Sequence, residues 1–85
     1  MPYQIQFSPQ AQRQLRRLPQ DHQTRIVSHI DALAENPRPH GCKKLRGEEN
    51  FWRIRIGDYR VIYQIRDKIA VVIVLVIGHR REIYR

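Results

Sequence analysis

Cysteine is almost missing from this chain. With Cys42 alone, no internal disulfide can form, which suits a reducing compartment and leads us to expect a cytoplasmic protein. Long hydrophobic runs are missing too. The longest, IAVVIVLVI at 69–77, has nine residues, against the roughly 20 that a membrane-spanning helix needs. Its β-branched content marks it as a buried strand. The opening, MPYQIQFSPQ, has no basic segment followed by an apolar one, so no signal peptide is expected. His22, His29, His40 and His79 are scattered and no aspartate cluster accompanies them, so the spacing of a metal site is lacking. There is no glycine-rich loop of the phosphate-cradling kind. No serine or cysteine has the surroundings of a nucleophile, and Cys42 reads as an inert filler. Neither a metal nor a cofactor is called for.

Acids are the last shortage. Sixteen lysines and arginines face eight acids, a net +8 with a pI near 10.6. Residues 1–40 hold 5 basic and 3 acidic side chains, and residues 41–85 hold 11 and 5. The excess is concentrated in the second half. Such a field favours a polyanion: nucleic acid, an acidic membrane surface or an acidic protein. Charge by itself fits a plain solvated surface equally well. The apolar share of 41% in 85 residues supports one small domain, 1–85, with a modest core.

What is present reads in order. YQIQF at 3–7 alternates and predicts a strand. Ser8 and Pro9 suit the cap and first residue of a helix. Ala11, Leu15 and Leu18 extend that helix to about Leu18, where Pro19 interrupts. Asp21 opens a second helix with Ile26, Ile30 and Leu33 as its stripe, widened by Val27 and Ala34. Pro37 predicts its end near Glu35 or Asn36. Strands follow at about 51–56, 59–66 and 69–77, joined by turns at Gly57–Asp58 and Asp67–Lys68. The fold class is α+β in the order β-α-α-β-β-β. Two N-terminal helices pack on one face of a small, mostly antiparallel sheet.

The hairpin FWRIRIGDYRVIYQI carries the functional signal. Alternation puts Trp52, Ile54 and Ile56 on one face and Arg53 and Arg55 on the other. With a two-residue loop, Ile56 pairs with Tyr59, Arg55 with Arg60, Ile54 with Val61, Arg53 with Ile62 and Trp52 with Tyr63. Opposed like charges destabilise a sheet, so an anion between them is the functional reading. Guanidinium offers phosphate two parallel hydrogen bonds. The plainer reading has the arginines splay apart or pair with Glu48, Glu49 or Glu82. The tail GHRREIYR adds His79, Arg80, Arg81, Tyr84 and Arg85. Tyr84 suits stacking on a base, or covering the core edge. Metal-free RNA cleavage fits this set, because positioned cations stabilise the charge built up on the phosphorane and an imidazole moves protons.

The strings KKLRG, FWRIRIGDYRVIYQI and IAVVIVLVIGHRREIY together resemble the RelE branch of the RelE/ParE toxin superfamily over essentially the whole chain. The resemblance implies a toxin of a type II toxin–antitoxin pair that cuts mRNA in the ribosomal A site. Its partners would be the 70S ribosome, mRNA and an acidic antitoxin that wraps the basic face. It implies Arg60 as the phosphate-binding arginine, Arg80 as a second catalytic arginine and Tyr84 as the base-engaging tyrosine. Arg53 and Arg55 stand where the best-studied branch has two lysines. Guanidinium is a poor base, so Arg55 would hold phosphate while His79 moves protons, with Glu48 or Glu49 as weaker bases. Lys43, Lys44, Arg46, Arg53 and Arg81 would grip RNA. The competing expectations are a ParE-like gyrase poison without enzymatic activity and a degenerate toxin kept as an antitoxin-binding module.

Overall fold

The computed structural model describes residues 2–47 and 49–79. Strand β1 (Gln4–Phe7) leads into helices α1 (Pro9–Arg16) and α2 (Gln20–Ala32). Strands β2 (Lys43–Lys44), β3 (Phe51–Ile56), β4 (Tyr59–Arg66) and β5 (Val71–His79) follow. The sheet order is β1-β5-β4-β3-β2. β1 runs parallel to β5, from Gln4 opposite Val71 to Phe7 opposite Val74. The other pairings are antiparallel, so the expected class and element order hold, with one short edge strand added.

Both helices lie on the inner face of the sheet. The α2 stripe behaves as its spacing predicts: Ile26, Ile30 and Leu33 are fully buried, against Ile54, Ile56, Val61 and Tyr63 of the hairpin. Each such aliphatic side chain contributes roughly 1.5–3 kcal/mol when withdrawn from water. Tyr63 is the largest buried side chain. Burial pushes its phenol pKa up, and the neutral hydroxyl donates to the Pro37 carbonyl at 2.8 Å.

Element ends differ from the sequence reading for identifiable reasons. α1 stops at Arg16, before Leu18. α2 stops at Ala32 rather than at Glu35 or Asn36. Isolated turns carry the chain on to Asn36, and the Tyr3 amide takes the Ala34 carbonyl at 2.7 Å. β5 starts at Val71 rather than at residue 69, because Asp67–Ile69 form a 3-10 turn closed by Ala70 in the left-handed region at φ 52°.

One irregularity sets the direction of the side chains at the end of β5. Ile62 faces Val76 but Tyr63 faces Val74, so Leu75 is an extra residue, a β-bulge. Val72 and Val74 point inward before it, and Ile77 points inward after it. Groups at the start of α1 satisfy the backbone there. The Ser8 amide donates to the Val74 carbonyl (2.8 Å) and its hydroxyl to the Leu75 carbonyl (2.9 Å). The Ile77 amide donates to the Gln14 Oε1 (2.7 Å). Ser8 also caps α1, its Oγ accepting the Ala11 amide at 3.0 Å. Among the described residues, no helix is long and apolar enough to cross a membrane.

Candidate active site

The outer face of the sheet, away from the helices, holds the basic residues in rows. Gly57 takes φ 61° at the first position of the two-residue turn and Asp58 has no positive φ, the pattern that matches strand twist in a tight hairpin. This turn fixes the register that the sequence predicts: Ile56 opposite Tyr59, Arg55 opposite Arg60, and Arg53 opposite Ile62. Directly opposed residues share a face, so Arg55 and Arg60 stand side by side. β2, a strand too short for pattern reading, brings Lys43 alongside. Lys43 lies opposite Arg53, so one row reads Lys43, Arg53, Ile62, Val76 and the next Arg55, Arg60, Gly78.

Exposure grades across this face. Arg55 is exposed and Arg53 half-buried, while Arg60 keeps only 8% of its surface. Arg60 is thus packed between the strands, with Gly78 beside it presenting no side chain. Phe51, Ile62, Ile73 and Val76 continue the same face as half-buried apolar surface. Among the described residues, these rows contain no carboxylate and no imidazole. The arrangement can bind phosphate and stabilise negative charge on it, but it holds no base of ordinary strength.

The remaining predicted residues divide three ways. Lys44 lies opposite Trp52 and so alternates to the other side from Lys43, while Arg46 is exposed in the segment after β2. His79 faces away from these rows. It pairs with Tyr59, and its ring packs edge-on against the Tyr59 ring at 5.8 Å between centroids, on the inner side. The bulge at Leu75 is the cause. Unbroken alternation from Val72 and Val74 would have aimed His79 outward, and the extra residue inverts it. His79 therefore does not share the Arg55–Arg60 surface, although it lies at the same end of the sheet. Arg80, Arg81, Tyr84 and Glu48 lie outside the described residues.

Sequence reasoning missed the company His79 keeps. His22 packs edge-on to Tyr59 at 5.5 Å, and its Nδ1 lies 3.0 Å from the Tyr59 hydroxyl. Arg25 lies against the turn, where a Cβ on Gly57 would stand 3.2–3.4 Å from its guanidinium. The signal was available: His22, Arg25 and Ile26 recur at the spacing of one helix face.

Comparison with known proteins agrees with this geometry. The family model described as the ParE toxin of the type II toxin–antitoxin system parDE matches residues 5–84. The toxin RelG of Mycobacterium tuberculosis is 36% identical over 86 residues, 100% of this chain and 99% of that protein. The mRNA interferase toxin RelE of Escherichia coli is 30% identical over 88 residues, covering 99% of this chain and 92% of that one. The crystal structure of the archaeal RelE–RelB complex from Pyrococcus horikoshii superposes with a TM-score of 0.83 at 33% identity, over 94% of this chain and 97% of that one. The toxin–antitoxin complex RelBE2 from Mycobacterium tuberculosis gives a TM-score of 0.81 at 31% identity, over 94% of this chain and 100% of that one. The two helices on an open five-stranded sheet, the arginine rows on the hairpin and these matches give one answer: the chain belongs to the RelE/ParE toxin superfamily of type II toxin–antitoxin systems, in its RelE branch.

Proposed function

We propose that this toxin is a ribosome-dependent, metal-independent endoribonuclease that cuts mRNA in the A site. The observation that carries the reading is the in-register pair of Arg55 and Arg60 on the outer face. In this mechanism the 2′-hydroxyl of the mRNA attacks the adjacent phosphorus and the bond to the 5′ oxygen of the next nucleotide breaks. Arg60, largely buried between the strands, grips a non-bridging phosphate oxygen. Arg55 stabilises the charge that accumulates as the phosphorane forms, and Arg80 supplies a second catalytic guanidinium. Preorganised cations of this kind lower such a barrier without reorganising during the reaction. Lys43, Lys44, Arg46, Arg53 and Arg81 bind neighbouring phosphates. Tyr84 engages a base and assists proton transfer.

The partner in this reading is a cognate antitoxin. The relatives from Pyrococcus horikoshii and Mycobacterium tuberculosis are toxin–antitoxin complexes. The outer face offers what an acidic amphipathic segment needs: cations beside the half-buried Phe51, Ile62, Ile73 and Val76.

Primer extension on mRNA from induced cells tests the mechanism. Wild type is expected to leave discrete cuts inside reading frames. Arg60→Ala is expected to lose cleavage a hundredfold or more, as with other single charge-stabilising donors, while its circular dichroism stays native. Arg60→Ala cutting as well as wild type would falsify the proposal. The matching family model bears the ParE description, which favours a second reading as a gyrase poison. DNA breaks with intact mRNA would establish that one instead.

A further inference from the structure

The Arg55–Arg60 rung lies one step from the turn of the hairpin. Only the rung of Ile56 and Tyr59 stands between it and Gly57–Asp58. The sheet supports this end from one side. β2 pairs with β3 at Trp52 and Arg53 alone, so among the described residues no strand borders β3 beside Arg55. On the other side, Gly78 and His79 of β5 pair with Arg60 and Tyr59. Opposed like charges push a rung apart, and the ends of an element are where local opening begins. The function proposed above needs the two guanidinium groups at a fixed separation.

Helix α2 reaches this end from the inner side with two side chains. His22 and Arg25, at i and i+3, share one helix face. The His22 Nδ1 lies 3.0 Å from the Tyr59 hydroxyl, and the two rings meet edge-on at 5.5 Å. His79 takes the Tyr59 ring edge-on from β5, at 5.8 Å. Tyr59 is thus clasped by two elements, and Arg60 is the next residue in the chain. The Arg25 guanidinium lies against the turn, so near Gly57 that an added Cβ would stand 3.2 Å from its Nη2. Gly57 therefore serves twice. Its φ of 61° forms the turn, and its bare Cα lets the helix side chain close in.

We propose that His22 and Arg25 are positioning residues for the Arg55–Arg60 pair. They tie the last rung and the turn to α2, and so hold the two guanidinium groups in register against their mutual repulsion. Both act through the hairpin, from the face opposite the phosphate. The purpose of this hold rests on the nuclease reading.

Tyr59→Phe and His22→Phe each remove the polar contact and keep a ring. Cleavage is followed on mRNA-programmed ribosomes in excess over the toxin, so that the cutting step is read apart from ribosome affinity. Each variant is expected to cut about tenfold more slowly at saturation, as misplaced catalytic groups do. The half-saturating ribosome concentration should stay within about twofold of wild type. The double variant should be no slower than either single one, since both remove the same bond. His22→Asn, whose amide offers a donor and an acceptor near the place of Nδ1, should recover most of the rate. Arg25→Met keeps the stem and should cost about threefold. A merely structural contact would lower the unfolding temperature and leave the rate at saturation untouched. That result, or additive losses in the double variant, overturns the role of His22, and an unchanged rate in Arg25→Met overturns that of Arg25. The Nε–H signals of Arg55 and Arg60 in NMR give a readout without RNA, and they are expected to shift in both Phe variants. A wild type that cuts no mRNA while these signals shift sinks the nuclease reading alone. A wild type that cuts, with signals and rates unchanged in the variants, sinks the positioning role alone.

Discussion

At the end of the sheet where β4 turns into β5, Arg38 donates to both oxygens of Asp67, at 3.2 and 2.9 Å. The Tyr3 hydroxyl donates to the same carboxylate at 2.6 Å, and the Arg38 guanidinium lies 5.1 Å from the centre of the Trp52 ring. Here a cation is matched in charge, shape and stacking surface. At the other end, Arg55 faces Arg60 across the hairpin, and Arg55 forms no ion pair with a described residue. The same side chain closes a loop onto the frame in one place and holds positive potential ready in the other. Under the proposed function, the contrast is between arginines that hold the structure together and arginines that meet a ligand.

The sharpest way to break this comparison is to make the second end resemble the first. Arg55→Glu turns an opposed like-charge pair into an attractive one. It is expected to abolish mRNA cleavage, a hundredfold loss or more, while raising stability in urea by roughly 0.2–1 kcal/mol. A variant that loses stability together with activity would show that the arginines were never in conflict. Next in size is the frame from which both ends hang. Ser8→Ala removes the α1 cap and the hydroxyl that satisfies the bulge carbonyl. A loss of about 1–2 kcal/mol in chemical denaturation is expected. No measurable loss would mean that water replaces both contacts.

The smallest effect belongs to the matched end. Arg38 first, and the Tyr3 hydroxyl second, hold the Asp67 carboxyl below its usual pKa. A carboxylate with a lowered folded pKa contributes stability that is complete above its unfolded value, about 3.9. That contribution is lost as pH falls through the folded pKa. Asp67→Asn should therefore cost a little stability at neutral pH and flatten the acid limb below about pH 4. Salt should shrink the difference, because the pair is part-exposed. An acid limb identical to wild type would remove Asp67 from the account.

Much of this was legible in the residues. Gly57–Asp58 specifies a two-residue turn, and such a turn leaves one register, so every pairing from Trp52–Tyr63 to Ile56–Tyr59 followed. The Ile26, Ile30, Leu33 stripe followed from helical spacing. The bulge did not. VVIVLVI is apolar at every position, so no alternation reveals where it slips, and the facing of His79 depended on that slip. β2 is two lysines with no period to read. Arg38 and Asp67 are 29 residues apart, a contact that only the packing of the loop can bring about.

The shortness of β2 has a consequence for how copies of this toxin treat one another. From Ile54 on, no strand among the described residues pairs with the outer edge of β3, and an unpaired edge invites another chain to extend it. Two copies approaching in that way would bring Lys43, Lys44 and Arg55 against their own counterparts. Coulomb repulsion would oppose that self-templating, whereas an acidic chain would meet no such barrier.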